Sequence, residues 1–416
     1  MLARASRSIA LALAVLGLAA CGEPGTTTVG VASPLAPRWA PGGGGRGGSG
    51  GSVGDYDVVR LAGDGSGAEG LNDVGIIVGY YVASDGVERA SYWTVDAAGG
   101  VTGPVDIGVP GPSSAVRVND AGQVVVRTLV AGGATGFVYD IVTGDLVELS
   151  GVGAAAETSP WAISGCGVVS GTAYFDDASG MADRPVVWLD PFDPAADPTL
   201  LDLPPGYPEV YGRTHIDDAG NVVVLMMPEG GTYPEYCTPV GWTVGGDGSI
   251  SGPEILGPAP GFEGFELNDA GQLAGTAIDW HAEVLQPDGA VVGLDPLPGD
   301  AQAAAFGISD PAPGHPAQVA GVSDLGVGSG GDTTAVVWSV SLDGTVSGPV
   351  TLPSGKHGTS VAAAVNVDGW VVGRIVDTRR RARAAALWMP ASSGGGGDGG
   401  GGGDCVPKGP NGNNCK

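Results

Sequence analysis

Residues 267–275, LNDAGQLAG, are one version of a nine-residue pattern that returns along the whole chain. It appears as LNDVGIIVG from Leu71, VNDAGQVVV from Val118, ISGCGVVSG from Ile163, IDDAGNVVV from Ile216 and VNVDGWVVG from Val365. A seventh copy starts at Ile308, is interrupted, and resumes as AQVAG at Ala317. Aligned on the residue after the turn, the copies fall at Ile76, Gln123, Val168, Asn221, Gln272, Gln318 and Trp370, at intervals of 47, 45, 53, 51, 46 and 52 residues. Periods of this length belong to propellers, solenoids and arrays. Within most copies an Asn or small polar residue, an Asp and a Gly precede a β-branched run. That is hairpin chemistry: Asx side chains cap tight turns, and Gly takes the left-handed position of a type I turn with a bulge. A calcium loop would need oxygen ligands at alternate positions over twelve residues, and the copies do not supply them.

Gly (78) and Pro (32) make up more than a quarter of the 416 residues. Without a period that share would signal disorder. Here much of it punctuates short runs of Val, Ile, Leu, Trp and Tyr, so an all-β fold of many short strands is expected. In the first repeat, strands follow at Leu71, at 76–81, around Trp93 and near Ile107. Four antiparallel strands joined by short turns describe a propeller blade. The third-strand aromatic recurs as Trp93, Tyr139, Trp188, Trp242, Trp338 and Trp388, with Leu285 in the fifth copy. A repeated aromatic of this kind reads as packing between blades. The fourth strand recurs around Ile107, Leu149, Leu203, Leu256, Leu294 and Leu352, but nothing equivalent follows Trp388. The lone strand DYDVVRL at 55–61 fills that place. The expectation is a seven-bladed β-propeller over 55–390, closed when the N-terminal strand completes the last blade and removes two sheet edges.

The ends read differently. Arg4 and Arg7 precede the apolar run 9–18, which leads into LAAC ending at Cys21. This is a secretory signal over 1–20, too short to span a membrane. LAAC also resembles the bacterial lipoprotein box, which implies cleavage before Cys21, lipidation of that cysteine and a place in the cell envelope, at the outer membrane or cell surface. Residues 21–54 form a Gly, Pro and Ser-rich tether. Its two GxSxG matches, at Ser49 and Ser52, lack the strand and helix that a nucleophile elbow needs. Residues 391–416 continue as a Gly-rich linker and a short tail. Cys405 and Cys415 are close together there and are expected to pair, leaving Cys166 with Cys237. The formal net charge of −27 repels nucleic acid and anionic surfaces.

The copies LNDVGIIVG, VNDAGQVVV and LNDAGQLAG are similar to the HAF-type repeats of bacterial extracellular proteins, in which an Ile-Asn-Asp-x-Gly turn precedes Val-Val-Gly. His281 and Ala282 keep the His-Ala pair of that family's following segment, while ASYW, PVVW, AVVW and AALW keep mainly its tryptophan. The resemblance implies an exported, propeller-like domain and carries no catalytic residues.

Chemistry must then lie in what varies between copies. His215, His281, His315 and His357 sit at non-equivalent places in the repeats and lack ligand spacing, so they read as structural or solvated. Variable loops lie at 190–198, 228–239 and within PAPGHP, and such loops are where binding concentrates. The residues entering the first strand of each blade also differ. Glu69, Arg117, Trp161, Arg213, His215 and Glu266 become candidate ligand-binding residues if that strand is innermost. The basic cluster of Arg379, Arg380, Arg381 and Arg383 reads as a solvated hairpin. The expected function is non-enzymatic binding or scaffolding by a monomer without cofactor or metal. Its partners would be the membrane, through the lipid, and an extracellular glycan or protein, but no nucleic acid. The alternative is a carbohydrate-active hydrolase or lyase, which would need two carboxylates at a defined separation across a cleft.

Overall fold

The computed structural model describes residues 56–391, apart from 97–98, 129–134, 154, 156, 178–179, 232–236, 258–261, 278, 325–332, 355–357, 378 and 380–381. The described residues form seven four-stranded sheets with strands in chain order, a closed β-propeller. The fifth blade shows how the repeat builds one sheet. Its strands are Phe262–Leu267, Leu273–Ala277, Ala282–Leu285 and Val291–Leu294, each antiparallel to the next. LNDAGQLAG supplies the end of the first strand, the turn and the start of the second. In the seventh blade Gly358–Val365, Val371–Asp377 and Ala382–Pro390 are followed by no fourth strand among the described residues. Tyr56–Arg60 takes the place, with Tyr56 opposite Pro390 and Arg60 opposite Ala386. The N-terminal strand thus closes the ring.

The turn residues work locally and between blades. In six of the seven turns the first side chain accepts a backbone N–H four residues on, as Asn72 does from Ile76 (2.7 Å), Asn119 from Gln123 (2.9 Å) and Asn268 from Gln272 (2.8 Å). Ser164, Asp217 and Asn366 do the same. The turn glycines, Gly75, Gly122, Gly167, Gly220, Gly271 and Gly369, all have positive φ, a region closed to most side chains. Asn Nδ2 then donates to the next blade's turn carbonyl: Asn72 to Asn119, Asn119 to Ser164, Asn268 to Ser309, and Asn366 back to Asn72 across the closure.

The second turn residue adds a parallel set of links. The Asp73 amide donates to the Asp120 carboxylate (2.9 Å), Asp218 to Asp269 (2.7 Å), Asp269 to Asp310 (2.6 Å) and Val367 to Asp73 (3.0 Å), and Gly165 donates to Asp218. Gly165 and Val367 carry no carboxylate at this turn position, so the series lapses between blades two and three and between six and seven.

The third-strand tryptophans make a second set of fasteners further from the axis. Trp93, Trp188, Trp242, Trp338 and Trp388 are buried between blades, and each indole N–H donates to a carbonyl where the chain leaves the preceding blade. The acceptors are Leu61, Ser150, Asp202, Asp295 and Pro353, at 2.7 to 3.1 Å. The outer strand bends around the indole: a Cβ on Gly103, whose φ is 132°, would lie 2.6 Å from Trp93 Cδ1. Between the sheets the core is Val, Ala and Ile, whose small volumes suit closely spaced sheets.

One sequence expectation fails here. Cys237 is a buried free thiol, so the Cys166–Cys237 disulfide is not formed. Cys166 lies in the turn after a first strand, and Cys237 precedes the third strand Thr238–Val244. Antiparallel alternation puts these on opposite faces of the ring, a strand length of about 20 Å apart, far beyond disulfide reach. Cys166 is engaged elsewhere, with its Sγ 3.3 Å from Ser164 Oγ. Burial pushes the Cys237 thiol up to about 11. Cys21, Cys405, Cys415, the tether and the tail lie outside the described residues.

Candidate functional site at the axial mouth

First strands of neighbouring blades touch one another all round the ring, which makes them the wall of the axial channel. Every one of them carries a β-bulge in its pairing with the second strand. The residues skipped are Glu69, Val116, Trp161, Gly212 with Arg213, Phe265, Phe306 and Ala363. A bulge leaves its residue out of the ladder and re-aims the side chain. The repeat therefore presents one conformationally special position per blade at the axis, while the turn that follows stays constant.

An ion pair crosses the channel. Arg117 in blade two reaches Glu266 in blade five, with side-chain exposures of 15% and 22%. Its guanidinium also donates to the carbonyls of Val116 (2.9 Å), Glu69 (3.3 Å) and Phe265 (3.3 Å). Burial raises the Glu266 carboxyl above the usual range, while Arg117 and Arg213 pull it down. His215 is buried beside this bar. Desolvation, with Arg117 and Arg213 adding to it, lowers its pKa to about 3, so the ring is neutral at pH 7. Its Nε2 is 3.2 Å from the Gly264 carbonyl and donates to it, since a carbonyl only accepts.

The bar divides the axis into two compartments. On the turn face lies a cavity of about 140 Å³, bordered by Asp73, Asp120, Asp218, Asp269 and Asp310. Burial pushes Asp73 up to about 6, with Asp120, Asp310 and Asp368 adding repulsion. Among the described residues no group of three or more His, Cys, Asp or Glu is placed to hold a metal ion.

On the other face, which carries the longer connections, the mouth is lined by arginine and aromatic groups. The Arg127 guanidinium lies 3.7 Å from the centroid of Trp161, and that of Arg213 lies 4.8 Å from the same indole. Arg213 is also 5.7 Å from Phe265, which meets Phe306 edge-on at 5.2 Å. Arg127 Nη2 reaches only Ser159 Oγ, at 3.4 Å, and its Nε is buried without a partner. Burial first, and the charge of Arg213 second, lower Arg127 to about 10. Cations over indole faces gain up to about 2 kcal/mol when desolvated, which holds both arginines in place.

The six candidate residues all come to the axis, in different roles. Trp161 and Arg213 face the arginine and aromatic mouth; Arg117 and Glu266 form the bar. Glu69 contributes its carbonyl to Arg117, and His215 is buried. Phe265, Phe306 and Arg127 were not singled out by the sequence. Phe265 and Phe306 stand three residues before the first turn residue, the offset of Trp161, and aligning the repeats on that offset would have found them. Arg127 belongs to a second strand, Gln123–Thr128, and has no such signal. In the basic cluster, Arg383 pairs with Glu88 at 2.9 Å and lies over Tyr80.

No known sequence family matches the chain, and no curated protein matches it. Similar solved structures exist. The acylaminoacyl peptidase of Pyrococcus horikoshii is 14% identical with a TM-score of 0.49, covering 78% of this chain and 51% of that one. The β-propeller domain of the Trilobed protease of Pyrococcus furiosus is 12% identical with a TM-score of 0.46, covering 78% of this chain and 95% of that domain. An oligogalacturonate lyase of Vibrio parahaemolyticus is 11% identical with a TM-score of 0.41, covering 80% and 86%. This chain thus spans about half the length of the peptidase. At these identities the likeness concerns the fold alone.

Proposed function

We propose that the protein is a non-enzymatic binding propeller of the HAF-type repeat kind, held on the bacterial envelope through a lipidated Cys21. Its ligand is taken at the mouth around Trp161. The observation that carries this reading is the Arg117–Glu266 bar: it bridges the channel next to Trp161, so a ligand arriving there meets fixed arginine and aromatic groups suited to recognition. A hydrolase or lyase would use two free carboxylates across the cleft. The five aspartates around the axial cavity each accept a backbone amide of a neighbouring turn and Glu266 is committed to Arg117, which favours binding over catalysis.

The test is a glycan array probed with the purified chain, with the reaction mixtures analysed for products. Retention of a ligand that is lost in Trp161→Ala, with no product released, is the expected result. Release of shortened or unsaturated sugars would overturn the non-enzymatic reading. Incorporation of labelled fatty acid that disappears in Cys21→Ser tests the anchor.

A further inference from the structure

The chain has 45 acidic residues, yet the two arginines flanking Trp161 form no ion pair with a carboxylate among the described residues. Glu69, Glu266 and Glu263 are within electrostatic reach of Arg213, whereas Arg127 feels only the charge of Arg213. The mouth therefore holds one half-buried guanidinium, that of Arg127, with no carboxylate near it, beside the exposed Arg213. A partly buried charge without a partner is costly, and a planar anion accepting from two guanidinium groups would relieve it. A carboxylate matches a single charge better than a phosphate dianion does.

The rest of the mouth bears on what carries that carboxylate. Phe265 and Phe306 offer apolar ring surface beside Arg213. On the same face Trp280, 55% exposed and with φ of 65°, holds out an indole in a backbone conformation that is unfavourable for a bulky residue. An extended peptide would dock by pairing with the inner edge of the first strands. The carbonyls of Glu69, Val116 and Phe265 on that edge are already taken by Arg117. Aromatic faces with an arginine pair and no free strand edge fit a sugar ring better than a peptide.

We propose that Arg127 and Arg213 form a carboxylate clamp and that the ligand of this mouth is an acidic sugar, its carboxylate between the guanidinium groups and its ring against the aromatic rim. The inference rests on the binding reading above and adds the ligand's charge and class.

Calorimetric titration of the full chain with a trimer of glucuronic acid, the matched glucose trimer and a tripeptide with a free C-terminus tests it. The acidic trimer is expected to bind at least tenfold more tightly than the neutral one, and less tightly as salt is raised. Arg127→Gln and Arg213→Gln should each weaken the acidic trimer at least tenfold more than they weaken the neutral one. Arg213 is exposed, so its variant keeps the fold, and a thermal midpoint checks the same for Arg127→Gln. Equal affinity for both trimers, lost in Trp161→Ala, overturns the clamp but leaves the binding function standing. Preference for the tripeptide overturns the sugar assignment, and no binding of the acidic trimer overturns the inference as a whole.

Discussion

Arg117 and Glu266 stand three blades apart in the ring and still meet, because the channel between their strands is narrow enough for two side chains to bridge. Small residues at the matching offset in other blades, Gly70, Ala162, Gly307 and Ala364, leave them the room. Removing one partner leaves a charge behind in a poorly solvated place, so Glu266→Met or Arg117→Met should destabilise by about 3 kcal/mol. The Arg117→Met/Glu266→Met double variant should lose less than the sum of its parts. Urea unfolding midpoints of the four proteins check this.

Stability should also depend on pH through Asp217. It occupies the slot filled by Asn in four other blades, is 3% exposed, and cannot offer the donor that the others send to the next turn. Burial pushes its pKa up to about 6 against a usual 3.8. A folded-state pKa above the unfolded one stabilises fully below pH 4 and loses that contribution as pH rises through 6. The loss is on the order of 2–3 kcal/mol. Asp73, also raised to about 6, should contribute in the same direction. Asp217→Asn should raise the thermal midpoint at pH 7 and flatten its fall between pH 4 and 7; an unchanged profile would remove Asp217 as the cause.

The tryptophan fasteners combine volume with one hydrogen bond. Trp338→Ala should cost about 3–5 kcal/mol, as for other buried aromatics. Trp338→Phe keeps much of the packing but leaves the Asp295 carbonyl without its donor, for about 1–2 kcal/mol beyond the lost volume. Chemical denaturation of both variants separates the two contributions.

Replacing residues 56–60 with a Gly/Ser segment should lower the thermal midpoint and bring concentration-dependent aggregation. Without Tyr56–Arg60, the strand Ala382–Pro390 becomes an unpaired edge. Light scattering across a concentration series reads this directly, and an unchanged midpoint would mean that closure adds little.

The period, the hairpin and the closing strand were legible because each is a local pattern: Asn-Asp-x-Gly before a β-branched run, and seven third strands against six outer ones. The mouth was only half legible. Trp161 and Arg213 stood out as residues that differ between copies, but nothing in the order of letters says that a bulge frees Phe265 from its ladder while Glu266 stays in register. The meeting of Arg117 with Glu266 depends on ring diameter, a property of all seven sheets together. The cysteine pairing failed for a related reason: an even count suggests partners, whereas strand direction decides which face each thiol reaches.

The lapses at Gly165 and Val367 give the ring a mechanical character. Blades three to six are bound into one arc by successive amide-to-carboxylate links, and blades seven, one and two into another. Between blades six and seven the Asp-to-Asp link is missing, and Ser309 has no amide to take its place. That junction is held instead by the Trp388 indole on the Pro353 carbonyl and by the Ser360 hydroxyl, which accepts from the Ala335 amide. Those links should carry the load there under heat or force, so that in Trp388→Phe amide exchange in residues 358–365 rises ahead of the rest.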